Sequence, residues 1–158
     1  MRRSDRKQDE AFARKVLTDA EYGVLSLVDQ QGKPYAVPLS FVLSDDIIYI
    51  HGATEGAKLR ILEQNTNAVF TCVGRTNILP EQFSTEYESA IAYGLASIVT
   101  DVQEKRRALL LLAMKYSPEF DIQAKAYVDR ALDHTAVIAI SIESLTAKAK
   151  LPKQPIQE

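Results

Sequence analysis

The sequence predicts a small antiparallel β-barrel with helices on its periphery. About six segments rich in β-branched and aromatic residues recur along the 158 residues, which is the pattern of short strands. Most of them are joined by short turns, and such turns join only antiparallel strands. Few helical segments are available to cover the edges of an open sheet. We therefore expect the sheet to close on itself.

The composition is that of one ordinary globular domain, which we expect to span residues 1–158. Apolar residues make up 46% and charged residues 25% of the chain, unlike a disordered or membrane-spanning protein. The N-terminal segment MRRSDRKQDE has no apolar signal-peptide core, and the longest apolar runs are too short to cross a bilayer. We expect a cytoplasmic protein without a membrane partner, ending in a frayed tail at 151–158.

Charge and ligand-forming residues argue against two further classes of protein. The net charge is −2 and most basic residues are mixed with acidic ones, so no basic face for nucleic acid is predicted. His51 and His134 lie far apart in sequence, and Cys72 is the single cysteine, so no metal-ligand spacing exists. We expect no metal site, and a buried, unreactive thiol at Cys72.

The first half of the chain supplies an N-terminal helix, four strands and a second helix. Phe12, Val16 and Ala20 recur at helical spacing and predict a helix over 10–20, and a further helix is predicted at 57–64. The strands are predicted at 22–29, 34–43, 47–51 and 68–75. In the second of these, one face carries Tyr35, Val37, Leu39, Phe41 and Leu43.

The second half begins with a polar loop containing Pro80 and a long strand at 87–101. Gly94 inside this strand indicates a bulge, or close contact with a ligand or another backbone. The leucine-rich segment 103–116 predicts a helix that ends before Pro118. A helix at 123–132 and a β-branched last strand at 136–145 complete the order.

The loop HGATEGAK, residues 51–58, has features that suit phosphate binding. Gly52 and Gly56 allow the backbone to approach a ligand closely, and Thr54 can cap the helix that follows. The free N–H groups of that helix carry the positive end of its dipole, and Lys58 adds a full charge. A loop that only turns the chain is the other explanation of the same pattern.

Three further residues are candidates for a site. Pro38 interrupts a good strand, so this strand lies at an edge, is bulged or faces a ligand. Ser40 shares a strand face with Pro38, forming a small surface on which a flat ring could lie. His51 is the acid–base candidate of the loop, although a structural role would also explain it. Glu86 and Glu88 are explained more simply as a solvated strand end than as a catalytic pair.

Taken together, these motifs resemble the FMN-binding split-barrel proteins related to pyridoxamine 5′-phosphate oxidase, and within them the 5-nitroimidazole-resistance (Nim) group. The matching segments are MRRSDR, GKPYAVPLSFV, IYIHGATEGAKL, LPEQFSTEYESAIAYGLASIV and EKRRALLLLAMKYSP, which cover most of the chain. The resemblance implies a mainly β fold with peripheral helices, a six-stranded antiparallel Greek-key split β-barrel. It also implies a homodimer that holds FMN in clefts between the subunits.

The resemblance also implies which residues bind the cofactor. They are Val37, Pro38, Leu39, Ser40, His51, Gly52, Ala53, Lys58, Tyr87, Glu88, Ser89 and Lys148. In this assignment residues 37–40 line the isoalloxazine and Lys58 contacts the phosphate. Residues 87–89 also approach the site, either from the same subunit or from its partner. The chain departs from the group at Ala57, where relatives often have histidine, and at Ala147, where glycine is usual.

The activity implied by the resemblance is that of an FMN-dependent oxidoreductase. Such an enzyme takes reducing equivalents from a nicotinamide donor and passes them to a small electrophile such as a nitro compound, with His51 as the candidate catalytic residue. Oxidation of pyridoxamine phosphate is less expected, because the match is to the Nim group. Two alternatives remain: a non-catalytic flavin- or haem-binding module with His51 as an axial ligand, and a structural dimer with an empty cleft.

Overall fold

The computed structural model describes residues 3–152, which form one antiparallel sheet and four α-helices. The strands are β1 (Lys7–Gln8), β2 (Gly23–Val28), β3 (Pro34–Leu39), β4 (Phe41–Ser44), β5 (Ile47–Gly52), β6 (Asn67–Leu79), β7 (Ser84–Ile98) and β8 (Ala136–Lys150). The helices are α1 (Glu10–Asp19), α2 (Ala57–Leu62), α3 (Val102–Tyr116) and α4 (Asp121–Ala131). The predicted fold class, mainly β with peripheral helices, is confirmed.

The order of the strands shows how the sheet closes. It is β3-β2-β6-β7-β8-β5-β4, with β1 paired to β8. β3 and β4 are the two ends of this path, yet only Ser40 separates them along the chain. In a flat sheet the two edge strands would lie roughly 29 Å apart. The sheet must therefore be curled until its two edges meet at Ser40.

The prediction of a single strand at 34–43 is corrected by this closure. The first part pairs with β2 and the second part pairs with β5, so the two parts belong to opposite edges of the sheet. The predicted alternation itself is confirmed, because all five apolar residues of that face pack into one core. These residues are Tyr35, Val37, Leu39, Phe41 and Leu43.

The segment after residue 75 is strand rather than the predicted polar loop. β6 continues to Leu79, and a tight turn with Phe83 in the left-handed conformation leads into β7. Pairing of β6 with β2 ends at Cys72, and pairing of β7 with β8 begins at Tyr87. The intervening residues form a two-stranded ribbon that projects from the barrel. Solvent reaches both faces of such a ribbon, so the sequence there lacks the alternation that marks a half-buried strand.

Two apolar clusters stabilise the fold. The first fills the barrel and includes Phe41 and Phe70, together with Val16 and Leu17 of α1 and Leu59 of α2. The second lies under α3 and α4, where their apolar faces cover β4, β5 and the start of β8. It includes Tyr49, Val137, Leu109, Leu112 and Val128. None of the helices within residues 3–152 is long and apolar enough to cross a membrane.

The structure has both a bulge and a close backbone contact at Gly94, where the sequence predicted one or the other, but the extra residue belongs to β8. Tyr93 pairs with Ser144 but Gly94 pairs with Ile142, so β8 has one extra residue at this point. A Cβ atom on Gly94 would lie 2.0 Å from the carbonyl oxygen of Ser141. The close contact that requires glycine is therefore with another strand of the same sheet.

The predicted tail begins after β8. Leu151 and Pro152 follow the strand without regular secondary structure, and the rest of that segment, 153–158, lies outside the described residues. At the other end of the chain, Ser4–Arg6 form one turn of 3-10 helix before β1.

Candidate functional site

The end of β5 and the first turn of α2 bring the loop residues together. His51 and Gly52 are the last residues of β5 and pair with Val137 and Ala136 of β8. The side chain of Lys58 folds back over Gly52, so that a Cβ atom at position 52 would lie only 2.9 Å from the Lys58 Nζ. Glycine at position 52 therefore leaves the space in which this ammonium group lies against the end of the strand.

Gly56, rather than Thr54, is the residue that precedes the helix. It has φ of 143°, a value that residues with a Cβ rarely adopt, and no side chain caps the first turn. Thr54 is exposed in the preceding loop. The capping role predicted for Thr54 is therefore wrong, because Gly56 occupies the N-cap position and no side chain accepts a hydrogen bond from the first turn.

The environment of His51 favours its neutral form. Desolvation by neighbouring atoms lowers its pKa below the ordinary value of 6.5, and the positive charge of Lys58 lowers it further. A neutral imidazole has one nitrogen that donates and one that accepts a hydrogen bond. His51 at pH 7 can therefore contact either kind of polar group while its side chain stays open to solvent.

The segment 37–40 lies at an edge of the sheet, as Pro38 predicted. Pro38 and Ser40 have exposed side chains, while those of Val37 and Leu39 pack inward against the core. A ligand on the outer face would contact the side chains of Pro38 and Ser40 but only the backbone atoms of Val37 and Leu39. Ser40 also lies on the rim of a cleft that includes His51.

This cleft has a volume of about 370 Å³ and lies between β5 and the helices α3 and α4. Its lining residues are Ser40, His51, Leu109, Leu112, Ala113, Tyr116, Tyr127, Val128, Ala131 and Thr135. Sequence reasoning did not assign any of the helical residues to a site. The sequence did contain one indication, the apolar run 108–114. Its consecutive apolar residues cover more of the helix surface than a single packing face requires.

The remaining predicted residues form a second group on β7 and β8. Ser89 pairs with Lys148, and its hydroxyl lies 3.4 Å from the Lys148 carbonyl oxygen. The Arg6 guanidinium lies 5.8 Å from the centre of the Tyr87 ring, and Glu88 accepts a hydrogen bond of 3.4 Å from the Arg75 backbone nitrogen. These contacts place all four predicted residues of β7 and β8 at one end of the barrel.

The two groups of predicted site residues do not meet within one chain. His51 pairs with β8 at Val137, whereas Lys148 lies near the other end of the same strand. Eleven residues of strand correspond to roughly 36 Å. Among the described residues, no cluster of histidine, cysteine, aspartate or glutamate side chains could hold a metal ion.

Comparison with known proteins identifies the family. The family model described as pyridoxamine 5′-phosphate oxidase matches residues 9–149, which is most of the chain. The chain belongs to the pyridoxamine 5′-phosphate oxidase family. The resemblance predicted from the motifs is therefore confirmed at the level of the family. No curated protein matches the sequence.

Solved structures similar to this member of the pyridoxamine 5′-phosphate oxidase family include a candidate 5-nitroimidazole antibiotic resistance protein from Bacteroides thetaiotaomicron. It is 26% identical, with a TM-score of 0.77, and the match covers 90% of this chain and 84% of that one. A flavocytochrome from Azotobacter vinelandii is 19% identical, with a TM-score of 0.80 over 100% of this chain and 75% of that one. An FAD and heme binding protein from Mycobacterium smegmatis is 21% identical, with a TM-score of 0.79 over 95% and 77%. The last two likenesses show a shared fold.

Proposed function

We propose that this protein is a flavoprotein oxidoreductase that binds FMN and passes electrons from a nicotinamide donor to a small electrophile such as a nitro compound. The observation that supports this most is the arrangement at the end of β5. There the Lys58 ammonium lies over Gly52, next to a neutral, solvent-facing His51. A cation for a phosphate and a neutral polar group for a ring are thus adjacent on one short segment.

The residues present fit FMN in three respects. Lys58 provides a charge for the phosphate, and the missing Cβ of Gly52 leaves the backbone open to the ribityl chain. The exposed face of Pro38 and Ser40 offers a small flat surface for the ring. FMN would supply the two-electron chemistry that passes reducing equivalents from donor to acceptor. The protein would bind the ring, orient it and exclude water from one of its faces.

A second copy of the chain would complete this site. Tyr87, Glu88, Ser89 and Lys148 lie at the opposite end of β8 from His51, so both groups can contact one ligand only if they come from different copies. The outer face of the sheet also has apolar residues that no helix of the described chain covers. They include Val24, Val69, Ile91 and the exposed Tyr93. We infer a symmetric homodimer that has this face at its interface.

Absorbance spectroscopy of the purified protein tests the proposal. We expect a yellow protein that releases FMN on denaturation, is bleached by NADH or NADPH, and is reoxidised by a nitroimidazole. A colourless protein that does not bind added FMN would overturn the proposal. Size-exclusion chromatography with light scattering should give twice the mass of the chain, and Tyr93→Glu should shift the protein towards the monomer and weaken FMN binding.

Lys58 can be tested against a matched control on the same helix. We expect Lys58→Ala to weaken FMN binding by about 1.5–3 kcal/mol, the usual range for a hydrogen bond to a charged group. Arg60→Ala removes an exposed positive charge two residues away, on another side of α2, and should have a much smaller effect. Equal losses in the two variants would contradict a specific phosphate contact at Lys58.

A haem-binding module is the second candidate function, and the open neutral imidazole of His51 favours it. Two of the similar structures are named as a flavocytochrome and as an FAD and heme binding protein. On this alternative the purified protein has a Soret band, which His51→Ala abolishes while Lys58→Ala does not. A flavin spectrum without a Soret band after addition of haem would exclude it.

A further inference from the structure

Among the residues that the structure describes, none that lines the cleft beside His51 is charged at neutral pH. Its wall is made by Leu109 and Leu112 of α3 and by Val128 and Ala131 of α4. Its polar groups are hydroxyls and the imidazole of His51, and none of its lining residues is lysine, arginine, aspartate or glutamate. The low pKa of His51 keeps that imidazole neutral as well.

The cleft is large enough to hold a single substituted ring. An apolar cavity of about 150 Å³ is large enough to bind benzene, and this cleft measures about 370 Å³. Three of the hydroxyls lie away from the sheet side, those of Tyr116 and Tyr127 on the helices and that of Thr135 just before β8. Ser40 and His51 lie on the side of the sheet, opposite the apolar wall of α3 and α4. A ring with one polar substituent could therefore bury its apolar part while that substituent contacts His51 or Ser40.

We propose that this cleft is the substrate site and that it selects uncharged single-ring compounds over anionic ones, including phosphate esters. The assignment of the cleft to a substrate rests on the proposed function. An anion that enters an apolar cleft loses its hydration, and here no cation among the lining residues compensates for that loss. An uncharged ring of the same shape gains from burial of its apolar surface. Two nearby cations are outside the lining, because Lys58 folds over Gly52 and Lys115 donates to the Ala20 carbonyl oxygen.

A matched pair of ligands tests this selectivity directly. 4-Nitrotoluene and 4-nitrobenzoate differ only in whether a methyl or a carboxylate group is opposite the nitro group. Their dissociation constants would be measured by NMR chemical shift changes on the purified protein, both as isolated and after addition of FMN. We expect 4-nitrotoluene to bind at least about tenfold more tightly, with the largest shifts in α3 and α4. Equal affinities, tighter binding of 4-nitrobenzoate, or no binding of either compound would overturn the proposal.

Variants on α4 locate the site. Ala131→Lys adds a cation at the lining of the cleft, so we expect the preference for 4-nitrotoluene to fall about tenfold or to reverse. Ala126→Lys adds the same charge on the exposed side of the same helix and should leave both affinities unchanged. If Ala131→Lys does not fold, Ala131→Phe provides a second test, because it fills the cleft and should weaken binding of both compounds. Unchanged affinities in the folded variant would overturn the proposal.

Failure of this inference can be distinguished from failure of the proposed function. Binding of 4-nitrotoluene at the cleft of a protein that never binds FMN would overturn the flavoprotein proposal and leave the ligand selectivity standing. Tight FMN binding together with no preference between the two nitro compounds would overturn only the selectivity.

Discussion

The hydroxyl oxygen of Tyr116, at the end of α3, lies 2.9 Å from the backbone nitrogen of Phe41, the first residue of β4. The same hydroxyl lies 2.6 Å from the carbonyl oxygen of Glu21 and 3.0 Å from that of Phe41, so it accepts one hydrogen bond and donates its proton to one of these carbonyls. The neighbouring Lys115 Nζ donates to the Ala20 carbonyl oxygen at 2.8 Å. The end of α3 thus holds the point at which the two edges of the sheet meet.

Replacement of Tyr116 by phenylalanine removes the hydroxyl and keeps the ring. The change should destabilise this junction. The change leaves the Phe41 N–H without its partner, and we expect the free energy of unfolding in urea to fall by about 1–3 kcal/mol. Hydrogen exchange at the Phe41 amide should accelerate more than exchange elsewhere in β4. Tyr22→Phe is the control, because Tyr22 is exposed and its hydroxyl makes no hydrogen bond within residues 3–152. Equal behaviour of the two variants would refute the role of Tyr116.

The pKa of His51 should respond to Lys58. NMR titration of the imidazole should give a pKa below 6.5 in the unmodified protein and a higher value in Lys58→Met, while Lys58→Arg should keep it low. The value in Lys58→Met should not fully recover, because desolvation is the larger cause of the shift. A pKa that is the same in all three proteins would show that the two side chains do not interact.

The same shift has a consequence for stability. Because the pKa of His51 is lower in the folded protein than in the unfolded chain, protonation favours unfolding. The contribution of His51 to stability is therefore present above pH 6.5 and is lost as the pH falls from 6.5 through the folded pKa. In His51→Asn, the free energy of unfolding should decrease less over this pH range than in the unmodified protein.

Cys72 should be unreactive while the protein is folded. Its side chain is buried, and burial raises the pKa of its thiol to about 12, so almost no thiolate is present at pH 8. Mass spectrometry after treatment with iodoacetamide should detect alkylation only in urea. Rapid modification under native conditions would mean that the barrel opens near β6.

Substitutions at two glycines allow the cost of a steric clash to be compared with the cost of backbone strain. Gly94→Ala places a Cβ atom 2.0 Å from the carbonyl oxygen of Ser141, and we expect it to cost about 1–3 kcal/mol or more in the free energy of unfolding. Gly32→Ala meets nothing within 4 Å but has φ of 79°, so its cost should be limited to about 1–2 kcal/mol of backbone strain. Urea denaturation of both variants measures the difference. A larger loss for Gly32→Ala would contradict the crowding at the bulge.

Features that depend on local pattern could be predicted from the sequence. The alternation from Tyr35 to Leu43 predicted the inward face, and an isolated glycine predicted the bulge at Gly94. The break at Ser40 could not be predicted in this way, since residues on both sides of it are extended and only distant pairing partners distinguish β3 from β4.

The site was predictable to a similar extent. The loop from His51 to Lys58 carries its own signals in its glycines and its charge. The cleft beside it depends on where α3 and α4 pack against the sheet. Leu109 and Val128 are ordinary core residues by sequence, and they line a cleft only because the tertiary contacts of the two helices leave a gap in front of His51.

The separation of the predicted site residues along β8 has a genetic consequence. In the proposed homodimer each copy contributes its Lys58 to one site and its Lys148 to the other. A copy that carries Lys58→Ala, paired with a copy that carries Lys148→Ala, would combine both defects in one site and leave the second site intact. Two parents with weakened FMN binding would then regain one site of full affinity in every mixed dimer.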